Sequence, residues 1–201
     1  MDLDRPYALV TSSLDGPVLQ ALATVEHLES GAEIHRRART GSAHGVRKVL
    51  QRLVRQGLVE AFEHGHAAYY RLNRQHLAYE SVLALSDLGP ELARRLAPVL
   101  ARRPGVRHAS LFPLGSTGQV VTVLLVLDDV AELEDHLWEF TRQVAAERVG
   151  DWTGNGFQFR PVSVAELREH ARRPEFEVRE WGRNVLIAGA ALTELAGSDL
   201  P

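Results

Sequence analysis

The 201-residue chain contains no cysteine, which excludes disulfides and thiolate-ligated metal centres. It also lacks any apolar run near the ~18 residues that a membrane span needs. Its first ten residues, MDLDRPYALV, have neither the basic start nor the apolar stretch of a secretory signal. A cytoplasmic location without membrane contact is therefore expected. Nine histidines are present, but without cysteine or a clustered Asp/His triplet they do not form a metal-site pattern; His64 and His66, two apart on a turn, do not suffice. No metal and no cofactor is expected.

The formal net charge is only −3, yet it is unevenly spread. Residues 30–76 hold nine Arg/Lys against three Glu, whereas residues 123–201 hold eight Arg against fifteen Asp/Glu. The first segment is suited to meet something anionic. A chain of this length divides comfortably into two small domains of roughly 100 residues each.

In the first half, Pro17 suits a helix first turn, and Val18, Leu19, Leu22, Ala23, Val25 and Leu28 recur at helical spacing to about Glu29. Ser30 and Glu33 make the S-x-x-E capping box of a second helix. Ser42 can cap a third, which carries Val46, Val49, Leu50, Leu53 and Val54 inward and stops at Gly57. Leu58 to Glu63 and Ala67 to Leu72 then alternate as a hairpin around His64-Gly65-His66.

With L-x-x-L-V-x-x-G-L-V at Leu50 to Val59 and YRLN closing the hairpin, residues 14–77 resemble the winged helix-turn-helix domain of MarR- or ArsR-type regulators. That resemblance implies a third helix in a DNA major groove and a wing beside a minor groove. Arg47 is then a candidate for guanine or phosphate, and Lys48 and Arg52 for phosphates. His44 and Gln51 lie on the same half of the helix. Thr40 and Ser42 could hold a backbone phosphate at its N-terminus. His64, His66 and Arg71 belong to the wing.

Asn73 can open a helical connector, interrupted at Gly89-Pro90 and resuming through ELARRLAPVLARR to Pro104-Gly105. Such a pair of helices could pack against the second domain or a second subunit. A homodimer is expected because a two-fold protein matches a palindromic duplex.

Beyond Val106 the pattern is strand, loop, strand, helix, strand, helix, with a last apolar strand at Val185 to Ala188. The expected strands are VRHASLF, VVTVLLVL and FQFRPVSV, with a helix over about 130–149, another opening near Ser163, and a short one before the last strand. This α+β order, with LF…GS, LLVLDD, the WTGN turn and RNVLIAG, resembles small members of the polymerase-beta-like nucleotidyltransferases. The resemblance implies two divalent ions held by carboxylates on the strand after the Gly-Ser loop. Val121 and Val123 stand at those positions, and the loop is several residues short. Asp128 is roughly 16 Å farther along the strand than residue 123. The implied domain is a degenerate one with no catalytic residue. Gly115, Ser116 and Gly118 could retain a weak anion-binding loop, although a plain hairpin turn needs the same glycines. A pocket lined by Val121, Val123, Phe157 and Phe159 would be apolar.

The expected organisation is therefore α+β: a winged helix-turn-helix domain over 1–76, a helical connector over 77–103 and a nucleotidyltransferase-like mixed-sheet domain over 104–201. The expected function is a DNA-binding transcription regulator, not an enzyme, whose second domain serves dimerisation, sensing of an unidentified small-molecule or protein effector, or partner binding. Two alternatives stand beside it. One is an active nucleotidyltransferase modifying a small molecule, RNA or protein; the other is a protein-interaction module that does not touch DNA.

Overall fold

The structure is a computed structural model that describes the chain except residues 4, 12, 66, 101–102, 113–119, 131–135, 172–183 and 197–201. It is a mixed α+β protein with two sheets. The chain divides at Leu88/Gly89 into two compact units.

The N-terminal unit begins with a 3-10 turn at Pro6–Leu9, followed by α1 (Asp15–Ala23), β1 (Glu29–Ser30), α2 (Gly31–Ala38), α3 (Ala43–Arg55), β2 (Val59–His64), β3 (Ala67–Leu72) and α4 (Tyr79–Ser86). Helix α1 stops six residues before the periodicity suggested, because Glu29 and Ser30 turn extended and pair with Tyr70 and Tyr69. The resulting sheet has the antiparallel order β1-β3-β2.

Local chemistry fixes the helix ends. The Ser30 hydroxyl accepts from the Glu33 N–H at 3.3 Å while a Glu33 carboxylate oxygen accepts from the Ser30 N–H at 2.8 Å, a complete capping box for α2. Ser42 accepts from the Gly45 N–H at 3.1 Å and caps α3. At the other end of α3, Gly57 adopts φ 79°, and the Gly57 and Leu58 N–H groups return to Val54 and Leu53. That is the double closure a left-handed glycine permits. The core gathers Val18, Leu22, Ile34, Val46, Leu50 and Leu72. Tyr7 is buried beside them, donating to the Val82 carbonyl at 2.6 Å and so pinning α4.

The C-terminal unit contains α5 (Leu88–Leu100), β4 (Val106–Leu111), β5 (Val120–Leu127), α6 (His136–Thr153), β6 (Gly156–Ser163), α7 (Val164–Ala171), β7 (Val185–Gly189) and α8 (Leu192–Ala196). Gly89-Pro90 does not break a helix but opens α5, since a first-turn proline lacks an N–H that has no intrahelical partner anyway. The short helix expected just before β7 lies outside the described residues.

The sheet order is β6-β5-β4-β7, with β5 and β6 parallel and the other pairs antiparallel. Central strand β5 is apolar and buried from Val123 to Leu127 because both its faces are covered there. Val121, Val123, Leu125 and Leu127 join Leu92 and Leu96 of α5 and Trp138 and Ala145 of α6. Leu124 and Val126 instead join Leu167 of α7 and Leu192 and Leu195 of α8. Edge strand β6 carries Pro161, which an edge tolerates because one row of its N–H groups has no neighbouring strand.

Candidate functional site

The basic segment of the N-terminal unit is built on α2, the turn after it, and α3. Burial of Val46, Val49, Leu50 and Leu53 fixes the rotation of α3. His44, Arg47, Lys48, Gln51 and Arg55 are consequently all exposed. Their spacing of three, one, three and four residues aligns them in a single stripe along the helix. Arg36 and Arg39, near the end of α2, add exposed positive charge. Sequence reasoning passed over Arg36, Arg39 and Arg55, although the run HRRAR and the i, i+4, i+8 relation of Arg47, Gln51 and Arg55 were visible signals. Among the described residues, Arg36, Arg39, Arg47, Lys48 and Arg55 take part in no ion pair.

The turn between α2 and α3 is tightly specified. Arg39 adopts φ 52° and Gly41 φ 74°. A Cβ on Gly41 would meet Leu14 Cδ1 at 2.7 Å. The His35 Nε2 lies 3.0 Å from the Gly41 carbonyl. Beneath it, buried Glu29 bonds to Arg37, with Arg37 Nε donating at 3.3 Å.

Several expected contacts are engaged elsewhere. Arg52 bonds to Asp15 of α1, so it braces two helices rather than standing free for a phosphate. Arg71, on β3, donates to Glu60 at 2.6 Å and lies 5.0 Å over the Phe62 ring. Ser42 is occupied as the cap of α3, which removes one N–H of that terminus from anion binding. Thr40 and His64 are exposed. His66 lies outside the described residues, as do Gly115, Ser116 and Gly118.

In the C-terminal unit, Val121 and Val123 are core residues, beside Phe157 and Phe159 in the β5–β6 register. The two rings meet edge-on at 4.9 Å. The expected apolar pocket is thus packed side chain against side chain. Asp128 immediately follows β5 and accepts from Arg107 at 2.8 Å. Among the described residues no group of three His, Asp or Glu could hold a metal ion, and no helix is long and apolar enough to cross a membrane.

No protein-family model matches the chain, and no curated protein does. A solved structure that does match is human N-acetylserotonin methyltransferase in complex with SAM, at 19% identity and a TM-score of 0.29, over 52% of this chain and 31% of that one. This chain therefore spans about a third of the methyltransferase. The comparisons return neither regulators of the MarR or ArsR type nor nucleotidyltransferases. The kinship with those two families is corrected accordingly, and with it the assignments as transcription regulator, as degenerate or active nucleotidyltransferase, and as a non-enzyme. At that TM-score the likeness to the methyltransferase transfers neither fold nor activity.

Proposed function

We propose that the N-terminal unit binds an extended polyanion and that the partner its shape and charge fit is double-stranded DNA. The observation that carries this reading is the exposed stripe His44, Arg47, Lys48, Gln51 and Arg55 along one face of α3, with exposed Arg36 and Arg39 at the end of α2 and, among the described residues, none of the five cations in an ion pair. A helix of this diameter enters a major groove, and such a stripe presents donors to base edges and phosphates together. We read the order α1, β1, α2, α3, β2, β3 as a winged helix-turn-helix, with the hairpin and Arg71 as the wing. Thr40 and His64 supply polar contacts at the margins. A homodimer would repeat the stripe about one DNA turn apart, and a cytoplasmic location fits the reading.

The test is fluorescence anisotropy of the full chain on a mixed-sequence duplex across salt concentrations. Neutralising three phosphates through Arg47, Lys48 and Arg55 gives a slope of log K against log[salt] of about −2.7, and Arg47→Ala with Lys48→Ala shrinks it by about 1.8. Absence of binding at low salt, or a slope the double variant leaves unchanged, overturns the proposal.

A further inference from the structure

Strand β4 reads VRHASL: Arg107 points out to pair with Asp128, while His108 and Ser110, two residues apart, share the opposite face. Both are buried. His108 Nδ1 lies 2.7 Å from the Ala190 carbonyl. A carbonyl can only accept, so Nδ1 carries the hydrogen and Nε2 of the neutral ring is an acceptor. Nε2 lies 2.8 Å from Ser110 Oγ, whose hydroxyl therefore donates to it. The Asn184 amide donates to the same Oγ at 3.1 Å.

The polarity of this chain is fixed from end to end. Its termini are informative: Asn184 immediately precedes β7 and Ala190 immediately follows it. One imidazole and one hydroxyl thus clip both ends of an edge strand to β4. The backbone between them is close-fitting, for a Cβ on Gly189 would stand 2.2 Å from the Arg107 carbonyl oxygen.

A proton on Nε2 reverses one link. Nε2–H and the Asn184 N–H would both point at Ser110 Oγ, and the Ser110 hydrogen would then be accepted only by a rotated Asn184 amide, whose Nδ2 would take the place of the buried, unpartnered Oδ1. A buried charge and an orphaned donor both favour opening. The ionisable groups on the described elements around this face are Arg107 and Asp128, which pair with each other, Glu166, Arg168, Glu169 and His170 on α7, and Glu194 on α8. Strand β7 has none. No charged group sets the ring's preference: burial pushes His108 below the ordinary imidazole range, and the Ala190 carbonyl only partly offsets it.

We propose that β7 is a proton-operated latch: protonation of His108 unclips Asn184 and Ala190 and releases the strand from β4 while the rest of the sheet stays paired. A ring whose folded state resists protonation stabilises the closed strand above its unfolded pKa of about 6.5, and that stability is lost as pH falls below it.

The test is amide hydrogen exchange of the full chain by NMR between pH 7 and 5, corrected for intrinsic rates, with the His108 ring followed in the same samples. Below pH ~6.5, protection at Leu186 to Ala190 should fall about tenfold per pH unit, while amides of β5 keep theirs. His108→Gln, which cannot titrate, should give a flat profile. The proposal is overturned if wild-type β7 protection is flat, if β5 loses protection in step with β7, or if His108→Gln keeps the slope. Should that variant not fold, the wild-type ring decides: a folded-state titration at or above pH ~6.5 refutes the latch.

Discussion

Placing an aspartate at residue 123 should unfold the C-terminal unit instead of creating a metal ligand. Val123 is fully buried between α5, α6 and the neighbouring strands. Removing its side chain from the core forfeits part of the about 1.5–3 kcal/mol that burying a valine contributes. An ionisable carboxyl in the same place must shift its pKa upward by about 3 units to become neutral, which is about 4 kcal/mol at pH 7. Together these cost roughly 6 kcal/mol, comparable with the whole stability of a small domain, about 5–15 kcal/mol.

All three tryptophans, residues 138, 152 and 181, fall in the C-terminal unit, so urea unfolding followed by tryptophan fluorescence reads that unit alone. Val123→Asp should show little or no folded baseline at pH 7, with or without Mg²⁺. The matched control is Thr122→Asp, one residue away on the opposite face, where the present side chain is half-exposed and already accepts from the Gln158 amide at 2.9 Å. A near wild-type midpoint for Val123→Asp, or a midpoint raised by Mg²⁺, would refute the reasoning: the first would mean the site is not packed, the second that it is a ligand site.

Two further substitutions probe backbone and cap chemistry. Ser30→Ala removes one side of the capping box of α2 and should cost about 1 kcal/mol, read by far-ultraviolet circular dichroism of urea unfolding with the tryptophan transition unmoved. Gly189→Ala places a Cβ 2.2 Å from the Arg107 carbonyl oxygen at φ 87° and should cost more than about 2 kcal/mol, whereas Gly150→Ala inside α6, with nothing within 4 Å of its Cβ, should stabilise by about 0.5–1 kcal/mol; equal tryptophan-monitored midpoints would contradict both.

Much of the C-terminal sheet could be read from pattern alone. The run VVTVLLVL is β5 because a strand covered on both faces must be apolar along its covered length, here Val123 to Leu127. The caps at Ser30 and Ser42 and the stop at Gly57 were legible for the same local reason: their partners lie within five residues. What escaped was non-local. Two residues, Glu29 and Ser30, have no periodicity of their own, and only pairing with β3 makes them a strand. Arg52 looked like another outward cation because its partner Asp15 is 37 residues away. The stripe on α3 was legible, since burying Val46 and Leu50 sets which side chains face out and Arg55 falls inside a helix that stops at Gly57. His108 and Ser110 carried a signal, an H-x-S step on the buried face of a strand, although their link to Asn184 and Ala190 depends on β7 arriving alongside β4.

Pro161 has a consequence for self-association. An edge strand is a template on which a second chain can add its own strand, and eight residues of β6 would offer a long one. The proline interrupts the outward row of donors near its middle, so a visiting strand finds no continuous ladder and loses register there. Replacing Pro161 with an ordinary β-former would restore that row, and the folded protein would then carry an adhesive edge running the length of β6.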